Sequence, residues 1–441
     1  MAYNQKDNKQ EDYQEDIVQE TKDLFKDYSS KRDVWAQHAK EDKEFRLGRQ
    51  WTADQIETLK ARGQAPIVIN RVHPAVESGK AMLTSNRPSF RAAPREDSDN
   101  KIAQIMSNLL AYMYDISDGR SVIRQAVDDY YVMGVGYLHI YQDPMMDMGK
   151  GEVCFHDIDP LDVYVDPNSR SRFFDDAENV IISKLFTKDQ ANKLYPMYKA
   201  KIKNANGEED WNAPATERAD EGEVTFPEDV GRVNNKEYIR GYERYYKVDV
   251  MEMRIFEKFS GKEDLLNEEQ FKAYMQKPAF IIQGQIITDP EIAQQMVQQL
   301  EMQRQQAIAQ ENAQLEQAGY TEGGMPSKVP EIQMEKVTNA ILVEEGQIEV
   351  VEVQMSRVMQ CVIIGDKKLY SRLLPIEQYP LIPIMNIHTR TPYPVSDVRL
   401  IKPLQEYINK TRSLIIAHAT TSTNTKILVP EGSVDMKDFE E

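Results

Sequence analysis

Apolar positions recur at three- and four-residue spacing from Leu400 onward, so that Leu400, Ile401, Leu404, Tyr407, Ile408, Thr411 and Ile415 share one face of a helix. Lys402, Glu406, Asn409, Lys410 and Ser413 fall mostly on the other side. The strand Leu381–Met385, bracketed by Pro380 and Pro383, leads into this helix through a turn-rich segment holding Thr391, Pro392 and Pro394. Ser396 and Asp397 supply side-chain oxygens suited to capping its start. Pro403, inside the pattern, predicts a kink or a restart with proline at the first helical position. From Pro403 to Thr420 the helix would run ~27 Å. Thr420, Thr421, Ser422, Thr423, Asn424 and Thr425 form helix poorly and are expected to end it, with a strand starting at Lys426–Val429.

Upstream, Ile17, Leu24, Phe25, Tyr28, Trp35 and Phe45 keep helical spacing amid dense charge, which predicts a polar arm followed by an amphipathic helix closed by Gly48. Gln64–Arg71 reads as a short strand, and Pro74–Thr84 as a helix. A helix capped by Asp97 or Ser98 runs to about Ser117, with Ile102, Ile105, Met106, Leu109, Leu110 and Met113 on one face. Another covers about Ser121–Met133, followed by Gly134-Val135-Gly136 and the strand Tyr137–Tyr141. Those glycines follow a helix and precede a strand, the reverse of a phosphate-binding loop, so a scaffold turn is expected. Strands are read at Val153–Val165, Val180–Ile182 and Tyr238–Phe256, a helix at Lys188–Leu194 and a polar loop over 201–235. Asp289–Gln317 is a Gln-rich helix whose polarity suggests a projecting insertion. Strands return at Ala340–Val343, Ile348–Gln354 and Val358–Ile364, and Gly365-Asp366 turns the chain into Lys367–Leu373. The fold class is α+β.

The 441 residues suffice for two to four domains, and 41% hydrophobic with 29% charged residues is a globular balance. No apolar run approaches the roughly 20 residues of a membrane span, and the N-terminus lacks the apolar core of a secretory signal. Cys154 and Cys361 stand far apart without ligand-like partners and read as buried thiols in a reducing compartment. A net charge of −18 argues against gripping nucleic acid over the whole surface. It leaves room for a local basic strip, and a wall that DNA slides past gains from repulsion. Asp157, Asp159, Asp162 and Asp166 are the sharpest metal-site candidates. Counted from Asp157, however, the position where a calcium loop needs glycine holds Asp162, and strand ends and turns account for these carboxylates. Neither a phosphate-loop motif nor H-E-x-x-H, C-x-x-C or G-x-S-x-G occurs. The histidines (His38, His73, His139, His156, His388, His418) are scattered, so neither catalytic nor cofactor-binding residues are assigned.

The prolyl-bracketed strand ending in Asn386, the Ser-Asp cap and the helix L-x-x-Y-I-N-K-x-R-S starting at Leu404 resemble the start of the stem helix of phage portal proteins, especially those of short-tailed phages. Phe45-Arg46-Leu47-Gly48-Arg49-Gln50-Trp51 resembles a second portal feature, F-x-x-G-x-Q-W, and Asp166-Pro167 with Asp175-Asp176-Ala177 resembles a third. Their order along the chain carries the resemblance, with gaps at 200–235 and 283–335.

The resemblance implies a portal fold: an N-terminal arm and helix (1–70), a wing of helices and strands (71–282), a Gln-rich helical insertion (283–335), returning wing strands (336–395), the stem helix (396–424) and the start of the clip (425–441). Portal proteins continue with the rest of the clip, a returning stem helix and a crown, so a chain stopping at Glu441 is expected to be a truncated one. The family implies a dodecameric ring at the unique capsid vertex, a channel for packaging and ejecting double-stranded DNA. Its partners are terminase, major capsid and scaffolding proteins, and a tail adaptor or head-completion protein. It further implies no enzymatic activity, no cofactor, no metal and no membrane; the location is the virion, and the host cytoplasm during assembly. On this reading Leu400, Leu404, Tyr407, Ile408 and Ile415 pack neighbouring stem helices. Lys402, Lys410 and Arg412 are candidates for contacting passing phosphates, with inter-subunit salt bridges an equal claim on them, and Lys426 begins the clip. Two rivals stand beside it: a metal-dependent nuclease or packaging enzyme using Asp157–Asp166, and a non-ring tail adaptor.

Overall fold

The charged N-terminal pattern becomes one 44-residue helix, α1 (Tyr3–Arg46). Its buried positions Val18, Thr21, Tyr28, Arg32, Ala36, Ala39, Asp42 and Phe45 keep helical spacing, polar groups included. The computed structural model describes residues 3–94, 100–144, 146–205, 238–288, 290–317 and 334–423. The buried Arg32 explains how so polar a helix is held. Its guanidinium lies 3.8 Å from the Tyr164 ring centroid and donates to the carbonyls of Leu161 at 2.9 Å and Val163 at 2.6 Å. A buried charge satisfied on several sides in this way does not incur the penalty of an unpaired one.

Helices α2 (Ala53–Ala61), α3 (Val72–Leu83), α4 (Asn100–Ile116) and α5 (Gly119–Val132) follow. A charge cluster ties α1, α3 and α5 together: Arg46 pairs with Asp128 and Glu77, and Lys80 reaches Glu77 at 2.6 Å and Asp128 at 2.7 Å. Burial works to raise the Asp128 carboxyl, but the hydrogen bonds from Arg46 and Lys80 outweigh it and the pKa is lowered. Beyond α5, strand β1 (Val135–Asp143) passes so close that a Cβ on Gly136 would stand 2.0 Å from the Ala126 carbonyl oxygen. Gly134 takes a φ of +89° with the Pro394 carbonyl beside it. The glycine pair is a packing device between helix and strand.

Next come β2 (Glu152–Ile158), β3 (Val163–Val165), β4 (Asn179–Thr187), α6 (Lys188–Leu194), α7 (Lys199–Lys203) and the long β5 (Tyr238–Glu257). The expected loop over 201–235 lies mostly outside the described residues. After the elements of the second unit come β10 (Ile348–Ile364), β11 (Lys367–Leu374) and β12 (Leu381–Met385), with β6 to β9 given below.

The chain divides into two units, Met1–Lys247 with Val358–Glu441, and Val248–Arg357. In the first, β12-β1-β2 form an antiparallel sheet with Leu138 opposite Ile382 and His139 opposite His156. A second sheet has the order β11-β10-β5-β4-β3, with Val180 opposite Tyr245. Their shared core holds Val135, Tyr137, Phe174, Ile182, Tyr245 and Leu381.

The second unit contains β6 (Glu263–Leu266), α8 (Glu268–Met275), β7 (Pro278–Ile282), β8 (Gln285–Ile287), α9 (Pro290–Gln317), β9 (Met334–Thr338) and α10 (Asn339–Glu344). β7 is central in the order β8-β7-β9, over a core of Ile255, Tyr274, Ala279, Val337, Leu342 and Ile348. Two expectations change here. Ala340–Val343 is part of helix α10, because a four-residue apolar run does not distinguish a strand from a helical turn that buries Leu342. Ile348–Gln354 and Val358–Ile364 are one strand, and the charged residue between them, Arg357, pairs with Glu252 at 2.5 Å.

Candidate functional site on the last helix

Helix α11 (Asp397–Thr423) has 27 residues and is ~40 Å long. Ser396 caps it, its Oγ accepting from the Arg399 amide at 3.0 Å and donating to Asp42 at 2.8 Å. Arg399 adds bonds to Glu41 and to the His38 carbonyl, and Lys402 pairs with Glu41. Burial raises the Asp42 carboxyl despite these donors. On Glu41 burial also works upward, but the bonds from Lys402 and Arg399 prevail and its pKa is lowered. Trp35 donates to the Pro394 carbonyl at 3.2 Å. The first turn of α11 is thereby fixed to α1.

One expectation about this helix is corrected. Pro403 lies inside a single helix and does not restart it. The threonine run is helical as far as Thr423, the last described residue of the helix: the Thr420 and Thr421 hydroxyls turn back to the carbonyls of Ile416 at 2.9 Å and Ala417 at 2.7 Å. Thr423 does the same to Ala419, which satisfies these hydroxyls within the helix. Lys426–Val429, with Lys426 as the start of the clip, lies outside the described residues.

The middle of α11 rests on its own subunit through polar side chains. Gln405, Asn409 and Ser413 are 0–1% exposed. They face residues 65–71, which belong to no sheet, contrary to the strand expected there. The Ile67 amide donates to Ser413 Oγ at 3.3 Å, the Ile69 amide to Asn409 Oδ1 at 3.0 Å and the Arg71 amide to Gln405 Oε1 at 3.1 Å. Gln405 returns a bond to the Ile69 carbonyl at 2.8 Å, and Asn409 donates to Gln50 Oε1 at 2.6 Å. Four helical residues advance ~6.0 Å and two extended residues ~6.6 Å, so side chains at i, i+4 and i+8 meet alternate amides of a straight backbone. The helix side chains supply what a partner strand would otherwise give. Trp51 secures the same segment by donating to the Ile67 carbonyl at 3.0 Å, so Gln50 and Trp51 of the F-x-x-G-x-Q-W stretch build the cradle of α11.

The apolar face points the other way. Leu400, Leu404, Tyr407, Ile408 and Ile415 are 37–70% exposed and stand on average roughly 140° around the helix from Asn409. Beyond its first turns, where Val398 and Ile401 join the apolar core of the subunit, the helix is amphipathic in the inverse sense, polar toward its own subunit and apolar outward. Composition alone did not show which face is packed. The legible signal was the spacing Gln405, Asn409, Ser413 together with an extended run lacking a partner strand.

Of the cations singled out by the sequence, Lys402 is held by Glu41 and covered by Phe45, 5.5 Å to the ring centroid. Lys410 and Arg412 are exposed and flank the apolar face on opposite sides, roughly 160° apart.

The acidic run sits elsewhere in the first unit. Asp159 accepts from the Leu161 amide at 2.8 Å and Asp166 from the Asn168 amide at 2.9 Å, both as turn caps. Among the described residues no group of three or more His, Cys, Asp or Glu is arranged to hold a metal ion. Asp129 on α5 feels this acidity: burial first, then repulsion from Asp159, Asp128 and Asp157, pushes its pKa up from 3.8 to about 8. Between those values the native chain keeps a proton that the unfolded chain has released, so its contribution to stability is lost as pH rises through the window. Asp129→Asn is therefore expected to melt higher than the parent near pH 8, with the gap closing as pH is lowered. Thermal melts across pH check this.

The family model described as phage P22-like portal protein matches residues 22–441. No curated protein matches the chain.

Proposed function

The chain belongs to the phage P22-like portal protein family, and from that membership we propose that it assembles into a closed dodecameric ring at one capsid vertex, the channel through which double-stranded DNA is packaged and ejected. Portal proteins are structural and not enzymes, and the role of this chain is to shape and line a passage. The observation that carries the proposal is the inverse amphipathicity of α11: five large apolar side chains face outward from a helix whose polar side is already committed to its own subunit. Repeating a head-to-tail contact around an axis covers such a face on every copy and encloses a hole. Exposed apolar surface of this kind is an interaction site by default.

In the ring, Leu400, Leu404, Tyr407, Ile408 and Ile415 pack against neighbouring helices. Lys410 and Arg412 are the cations available to meet passing phosphates, while Lys402 serves the joint with α1. With a net charge of −18 on each copy, the remaining wall repels DNA and lets it slide. Terminase, capsid and scaffolding proteins and a tail adaptor are the partners the family role requires, in the host cytoplasm during assembly and in the virion afterwards. No helix among the described residues is long and apolar enough to cross a membrane.

Native mass spectrometry of the purified protein tests the proposal. A closed complex at the mass of a dodecamer is expected, and a monomer that persists at high concentration overturns the ring.

A further inference from the structure

The first unit exposes a second apolar face, on a different helix. Ile102, Ile105, Met106, Leu109 and Tyr112 of α4 are 49–64% exposed, and they lie on one side of a helix whose other side buries Ala103 and Tyr114. The segment beside α4 adds Phe90, 46% exposed, with its ring 5.9 Å from that of Tyr114. That segment is fixed to α4 by the Ala92 amide, which donates to Ser107 Oγ at 2.9 Å.

We propose that this face is an interface with a second copy of the same chain, the next one around the ring. The inference rests on the ring reading but concerns a surface separate from α11. Three observations choose the occupant. The first is size. Six such side chains about half exposed present on the order of 500 Å² of apolar surface. That is close to the apolar share of the roughly 800 Å² each partner contributes to a standard interface.

The second is charge. Each copy carries −18, so two copies repel wherever their acidic surfaces approach. Helix α4 has only Lys101 and Asp115 among its 17 residues, in a chain with 29% charged residues. It is a place where like-charged copies can touch at little of that cost, whereas a cationic partner such as a basic peptide finds few carboxylates there, Asp115 on the helix and Glu152 beside Tyr112. The third is ring geometry. A head-to-tail contact joins two different surfaces of the chain, so a face beyond the rod is required on each subunit.

Methionine oxidation of the intact protein by hydrogen peroxide tests this, comparing rings with monomers held apart by Leu404→Asp. Met106 is expected to oxidise roughly tenfold more slowly in the ring. Met148, which is fully exposed, provides the internal control and is expected to react equally in both. Rings in which Met106 reacts at the monomer rate overturn the α4 interface and leave the portal reading intact. A wild-type chain that forms no ring overturns both. As a second arm, Ile105→Lys with Leu109→Lys is expected to keep the monomer's melting temperature and to raise the concentration needed for assembly. Assembly at the parental concentration by this folded variant counts against the interface.

Discussion

Asn409→Leu is expected to destabilise the folded chain by about 3 kcal/mol, although the replacement is close in size and more hydrophobic. The residue is 0% exposed and accepts from the Ile69 amide while donating to Gln50. Leucine leaves the Ile69 amide and the Gln50 oxygen buried without those partners, at about 1–3 kcal/mol each, and the gain in apolar burial offsets only part of that. Ser413→Ala, which removes the longer of two acceptors of the Ile67 amide, the other being the Ala65 carbonyl at 2.9 Å, is expected to cost at most about 1 kcal/mol. Urea unfolding of the two variants beside the parent gives both numbers. Equal stability of Asn409→Leu and parent would show that the polar ladder does not hold α11 in place.

The opposite result is expected on the other side of the helix. Leu404→Asp combined with Tyr407→Asp is expected to leave the unfolding free energy of the isolated chain within about 0.5 kcal/mol of the parent, because both side chains already face solvent, 67% and 70% exposed. Assembly is expected to be lost. Each carboxylate placed in a seam between copies must be desolvated without a partner, a cost of several kcal/mol that recurs at every interface of a ring. Sedimentation velocity at matched concentrations checks this, with a single slow species predicted for the variant. The two substitutions sit in the same few turns yet affect different properties, one the fold and the other the assembly.

Much of this architecture was readable from residue patterns. The strand Leu381–Met385, the helix Lys188–Leu194 and the turn at Gly365 follow from local chemistry: prolines, caps and a glycine with positive φ. The apolar face of α11 was equally plain, since its period needs only the helix geometry. What was not readable depended on partners distant in sequence. Asn409 and Ser413 were placed on the side opposite the apolar face, and Gln405 carried no reading; all three are buried because backbone amides more than 330 positions earlier donate to them. A hydrophobic pattern records how much surface avoids water and says nothing about polar groups that pair with backbone. Lys402 illustrates the same limit. Its charge suggested contact with DNA or an ion pair between subunits, and the ion pair it makes within its own subunit, with Glu41, is to a helix that sequence spacing could not place beside it. Within the threonine run the helix persists to Thr423 although intrinsic propensity disfavours it, because hydroxyl bonds to the preceding turn satisfy those side chains.

Electron cryo-microscopy of the assembled full-length protein, at a resolution that shows side chains, bears most directly on the role assigned to α11. The account predicts copies of this helix arranged around a common axis, with Leu404 and Ile408 seated against a neighbour and Asn409 still turned toward its own subunit's Ile69. Particles in which that apolar row faces open solvent, or in which the chains share no axis, would contradict it.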